Sequence, residues 1–175
     1  MKKHPLFLIL SLALVFSCTD DVNNKRDHDM SIFSAKGYTE SKIAYSEDGE
    51  IKIAVDDNAL LYAFNQYSET NRLGEPADRY EVFAYEGENF IRFFHKDGSM
   101  STTALIPANE NMKTSGNMIY MTGCTTCTSS DCNSGGGCVP NGCYCTPCKP
   151  PSLPPGNPYE GDCLRSTSCA GCNDQ

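Results

Sequence analysis

The sequence predicts an α+β fold: a small antiparallel sheet with one helix, followed by a disulfide-rich, irregular C-terminal module. Three observations lead to this. Between residues 31 and 122, short runs rich in aromatic and β-branched residues are separated by Gly-containing turns. Among them lies one segment whose apolar residues recur at helical spacing. At residue 123 the composition changes, and ten of the eleven cysteines lie beyond it.

The elements follow in order. Ile43 to Tyr45 and Ile51 to Val55 read as strands around the turn Ser46-Glu47-Asp48-Gly49. Asp57 or Asn58 can cap a helix that places Leu60, Leu61, Phe64 and Tyr67, with Ala63, on one face, and Gly74 and Pro76 end it. Arg79 to Tyr85, Asn89 to His95 and Ser99 to Ile106 are separated by Glu86-Gly87-Glu88 and Lys96-Asp97-Gly98, the pattern of an antiparallel meander. Asn117 to Met121 is a candidate last strand.

From Gly123 to Gln175 the chain holds seven of its ten prolines and eight of its fourteen glycines, and its only large aliphatics are Val139, Leu153 and Leu164. Such a segment buries too little apolar surface to offset roughly 1–2 kcal/mol of backbone entropy per residue, so it needs cross-links or a metal. Disulfides are the first reading, using Cys124, Cys127, Cys132, Cys138, Cys143, Cys145, Cys148, Cys163, Cys169 and Cys172 in a pairing that spacing does not decide. The alternative is a four-cysteine zinc site at Cys124, Cys127, Cys145 and Cys148, whose two Cys-x₂-Cys pairs have ribbon-like spacing. Redox catalysis fits less well, because each Cys-x₂-Cys sits in Gly/Pro-rich sequence without a helix to lower a thiol pKa. Pro150-Pro151-Ser152-Leu153-Pro154-Pro155 reads as an extended spacer.

Cys18 stands apart. It follows Lys2 and Lys3, an apolar run from Pro5 to Phe16, and Ser17. That run is too short to cross a membrane but suits a secretory signal. Val15-Phe16-Ser17-Cys18 resembles the bacterial lipobox, which implies cleavage after residue 17 and diacylglyceryl and acyl groups, palmitate among them, on Cys18. Asp20-Asp21 resembles the surface-export signal of Bacteroidota lipoproteins, which implies the outer membrane and its outer face. The expected organisation is a signal peptide at 1–17, a polar tether at 18–30, an α+β domain at 31–122 and a cysteine-rich module at 123–175. Cys127, Cys132, Cys138, Cys143 and Cys145, with Gly135-Gly136-Gly137, are similar in spacing to an EGF-like module, which implies a loop-rich disulfide knob.

Removing residues 1–17 takes away Lys2 and Lys3 and no acid, leaving twelve basic against 22 acidic residues, a charge of −10. Nucleic acid is a poor partner for such a chain. The catalytic inventory is thin. His95 ends an aromatic strand with no partner nearby in sequence and reads as structural or superficial. Asp56-Asp57 reads as helix capping before paired carboxylates. Tyr80, Phe83, Tyr85, Phe90, Phe93 and Phe94 could form a stacking platform, although alternation along strands sends half of them to the core. No GxSxG, Walker A, HExxH or GxGxxG motif is present. The expectation is a non-enzymatic, cofactor-free binding protein, held on a membrane by its lipid, with an extracellular or envelope protein or glycan as partner; the alternative is an extracytoplasmic zinc protein.

Overall fold

The computed structural model describes residues 37–108, 118–132, 136–146, 148 and 162–172. Cys18, the expected signal and tether, and the proline-rich stretch 150–155 lie outside them. The fold is α+β with the antiparallel sheet dominant. Its elements are β1 (Lys42–Glu47), β2 (Glu50–Ile53), α1 (Asp57–Asn71), β3 (Ala77–Tyr85), β4 (Glu88–His95), β5 (Met100–Pro107), β6 (Ile119–Ser129), β7 (Pro140–Asn141), β8 (Tyr144–Cys145) and β9 (Leu164–Thr167). No helix among the described residues is long and apolar enough to cross a membrane.

The hairpins form where the turn residues tolerate left-handed backbone. Asp48-Gly49 and Glu86-Gly87 have positive φ at both positions, 52° and 85° in the first and 50° and 84° in the second. This is the two-residue turn whose twist matches the flanking strands. Lys96-Asp97-Gly98 is a three-residue loop closed by His95 N–H donating to Ser99 O at 2.9 Å. The Asp97 carboxylate accepts from Ser99 N–H and O–H and from Glu75 N–H, at 2.9, 2.6 and 3.2 Å. Desolvation alone would raise its pKa, but these bonds, with His95 nearby, hold it below the ordinary value. A depressed carboxylate contributes stability above its unfolded pKa of about 3.9, and loses it as pH falls through the lower folded value. Asp97→Asn is therefore expected to unfold at lower urea than the parent at neutral pH and at the same urea once both are well into acid. Equal midpoints at neutral pH would contradict this.

Helix α1 begins one residue earlier than the sequence suggested. Asp56 is the N-cap, and its carboxylate accepts from Asn58 N–H and Ala59 N–H at 3.0 and 3.2 Å. It also ends earlier, at Arg72 in the αL conformation (φ 56°), before Gly74 and Pro76 can act. The buried side is Ala59, Leu60, Ala63, Phe64 and Ser68. Phe64 stacks on Phe93 of β4 with centroids 3.7 Å apart, and Tyr38 meets both rings edge-on. With Ile43, Ile91 and Leu105 these residues make the core between helix and sheet. The Tyr38 phenol is fully buried, and desolvation drives its pKa far above the ordinary value.

The main sheet runs β2-β1-β6-β5-β4-β3, with β9 also paired to β6. The greatest departure from expectation is in β6. The sequence placed the end of a strand near Met121 and a change of module at 123, but the strand continues to Ser129. Its first part pairs with β1 and its second with β9, through Thr125↔Thr167, Thr126↔Ser166, Cys127↔Arg165 and Thr128↔Leu164. The tail is therefore not wholly irregular: β9 extends the main sheet, and β7 and β8 form a small hairpin. β9 is also tied to the helix, since Tyr67 Oη donates to Ser166 Oγ at 2.9 Å and Ser166 Oγ to Asn71 Oδ1 at 2.8 Å.

The cysteine-rich segment covers the sheet face opposite α1. That face carries Phe83, Phe90, Arg92, Thr102 and Cys127, aligned across the ladders. The Arg92 guanidinium sits 4.1 Å from the Phe83 ring centroid and donates to Thr102 and Glu81. Against it pack the residues following β6. Gly137 is required there, because a Cβ would fall 2.6 Å from Met100 Sδ and its φ is +67°. The result is three layers: helix, sheet and cystine module.

Candidate functional site

All ten tail cysteines are bridged: Cys124–Cys169, Cys127–Cys145, Cys132–Cys148, Cys138–Cys163 and Cys143–Cys172. Four bridges interlace, joining Cys127, Cys132, Cys138 and Cys143 in order to Cys145, Cys148, Cys163 and Cys172. No short stretch closes on itself. Of the five cysteines with EGF-like spacing, only Cys127 and Cys145 are joined to each other. No Cys-x₂-Cys pair is internally bonded, so none is a redox dithiol in this state. The zinc alternative is not assembled either: Cys124, Cys127, Cys145 and Cys148 enter three different bridges. The sulfurs that do converge belong to two neighbouring bridges, with Cys148 Sγ 3.5 Å from Cys138 Sγ and 4.0 Å from Cys163 Sγ. As disulfides they present no thiolate to a metal.

Sheet and module enclose a groove of about 550 Å³. Its floor exists because of a bulge. Thr103 pairs with Thr126 and Leu105 with Thr122, so residues 123–125 stand opposite Ala104 alone. Gly123 and Ala104 leave the floor bare of large side chains; Ile106, Pro107 and Tyr120 continue it along the sheet. The opposite wall is Pro140, Gly142 and Ala170 with the bridges Cys124–Cys169 and Cys143–Cys172. Among the described residues, Glu88 is the only charged one in the lining. Two cystines thus fix the wall relative to the floor, and the lining is mostly small or apolar, the composition of a preformed ligand site.

The residues singled out from sequence do not gather here. His95 is buried under the helix side of the sheet, with Nδ1 against Glu75 O and Nε2 against Ser101 Oγ at 2.8 Å. A carbonyl oxygen only accepts, so Nδ1 is the donor and Nε2 shares a hydrogen with Ser101, which in turn meets Thr128 Oγ1. This looks like a nucleophile–base pair, but Ser101 is fully buried and no substrate reaches it. Asp56 caps α1 and Asp57 accepts from Tyr80 Oη; desolvation and that bond raise the Tyr80 pKa. The six aromatics divide between the two faces: Phe93 stacks on Phe64, Phe83 and Phe90 stack on each other, and Arg79 lies over Phe94. They form no single platform. The groove residues Ala104, Gly123, Pro140 and Ala170 escaped sequence reasoning, because small residues carry no local signature of a site.

No family model, curated protein or solved structure matches the chain.

Proposed function

We propose that this protein is a lipid-anchored component of the bacterial cell envelope that binds an extracellular or envelope protein or glycan in the groove between its sheet and its cystine module. The groove is the observation that carries the reading. It is preformed and braced by two disulfides, and its described lining residues include one carboxylate and no nucleophile–base pair, which suits binding rather than acid–base chemistry. The lipobox-like Val15-Phe16-Ser17-Cys18 supplies the anchor, and five bridges agree with an oxidising compartment outside the cytoplasm. Stable attachment takes two or more acyl chains, since each buried CH₂ contributes about 0.8 kcal/mol. The surface-facing orientation rests on Asp20-Asp21. The metal alternative has less support, because the cysteines it would use are bridged.

Cys18→Ala is expected to abolish incorporation of labelled palmitate and to release the protein from the membrane fraction; unchanged attachment would refute the anchor. The soluble Cys18→Ala protein then allows the groove to be tested on glycan and peptide arrays. Ala104→Phe, which fills the floor opposite the bulge, should remove the hits while all five bridges remain. Hits that survive Ala104→Phe, or an array without hits, would count against the groove.

A further inference from the structure

Three rungs of the β3–β4 ladder, Glu81↔Arg92, Phe83↔Phe90 and Tyr85↔Glu88, lie two residues apart and so share the sheet face turned to the cystine module. The first two rungs hold a cation. The Arg92 guanidinium lies 4.1 Å from the Phe83 ring centroid, donates to the Glu81 carboxylate at 3.2 Å, and is buried there. The last rung repeats a ring and a carboxylate, Tyr85 beside Glu88, without a cation. Tyr85 is 50% exposed, and neither Glu86 nor Glu88 forms an ion pair with a described residue. The groove reaches this rung. Glu88 and Pro140 line both the groove and a smaller recess of about 120 Å³, which also meets Tyr85, Glu86 and Asn141. Among the described residues, no basic side chain lines either space.

We propose, resting on the groove as the binding site, that its ligand is an arginine-bearing peptide segment of a partner protein. The guanidinium lies over Tyr85 and against Glu88, as Arg92 lies over Phe83 and against Glu81. A neighbouring aliphatic side chain of the peptide enters the groove over Ala104. Arginine suits the position because its flat, weakly hydrated guanidinium stacks on a ring while its N–H groups reach a carboxylate. Beyond Glu88 the groove is floored by Ala104, Ile106, Pro107 and Tyr120 and is mostly apolar. It accepts a hydrocarbon side chain, whereas the hydroxyls of a glycan would lose water there for few partners. Long-range charge acts in the same direction, since 22 acidic against 14 basic residues draw a basic segment to the surface.

The test uses the soluble Cys18→Ala chain and an array of hexapeptides, each printed with arginine and again with citrulline, which keeps the shape of arginine and lacks its charge. Arginine peptides with an aliphatic neighbour should bind, and their citrulline counterparts should bind about tenfold or more weakly. Glu88→Gln should largely remove that difference while leaving the urea midpoint unchanged, because Glu88 is exposed and makes no ion pair with a described residue. Equal binding of the two series, or an arginine preference that survives Glu88→Gln, would overturn the proposal. Hits confined to a glycan array would also overturn it; if Ala104→Phe removes those hits, the groove stands as the binding site and only its ligand is different. Silence on both arrays would overturn the arginine site and the groove together.

Discussion

Reducing all five disulfides is expected to unfold the sheet together with the tail. Each bridge contributes roughly 2–4 kcal/mol by restricting the unfolded chain, against a total stability of about 5–15 kcal/mol for a typical domain. Even with incomplete additivity among interlaced loops, reduction removes most of that margin. The sheet is included because β6, its central strand, carries Cys124 and Cys127 and pairs with β9, which Cys124–Cys169 holds in place. The reduced protein should be ten hydrogens heavier, from five bridges, and its β4 and β5 amides should lose their protection from exchange. The single pair of changes Cys127→Ser and Cys145→Ser should cost about 2–5 kcal/mol. If amides in β4 and β5 stay protected after full reduction, the module is only an appendage. The same reasoning bears on truncation: a chain ending at residue 122 loses most of β6, so failure of such a variant to bind would say nothing about where a ligand sits.

Phe64→Ala should destabilise the protein by about 3–5 kcal/mol, the range for emptying an aromatic site in a core. Phe64 is fully buried, stacked on Phe93 and met edge-on by Tyr38, so its removal leaves a cavity lined by two rings that β4 and the 37–41 segment hold apart. Through that stack it also ties α1 to β4. Tyr62 on the same helix is 54% exposed, and Tyr62→Ala should change stability by no more than about 0.5 kcal/mol. Urea unfolding of the two variants decides the matter; a loss below about 1 kcal/mol for Phe64→Ala would mean that the helix is held mainly elsewhere.

The meander was legible because its determinants are local. Asp48-Gly49, Glu86-Gly87 and Lys96-Asp97-Gly98 each dictate a hairpin through the φ values they tolerate, and the strands between them alternate correctly. The helix was legible from its apolar spacing, but its ends were not, because Asp56, Asp57 and Asn58 are all competent caps and tertiary contacts select among them. The extent of β6 was hidden by composition: Gly123-Cys124-Thr125-Thr126-Cys127 reads as the start of a loop-rich tail. Thr126 and Thr128 are nonetheless buried against Thr103 and Ser101, with which they share hydrogen bonds, and this gives a polar stretch an interior place. The groove was hidden for a related reason. Its bulge depends on register between β5 and β6, and its wall on the pairing of Cys143 with Cys172 and Cys124 with Cys169, neither of which spacing encodes.

The sequence by itself determined the turns, the helix, the count of even cysteines beyond residue 123 and the place of the lone Cys18 after an apolar run, since each depends on residues adjacent in the chain. Only the tertiary structure decided that the cysteine-rich segment is a layer of the fold, that β6 is shared between β1 and β9, and that a groove lies beneath two of the bridges. Those features depend on which distant residues meet, and contact at long range is set by packing and covalent closure rather than by local preference.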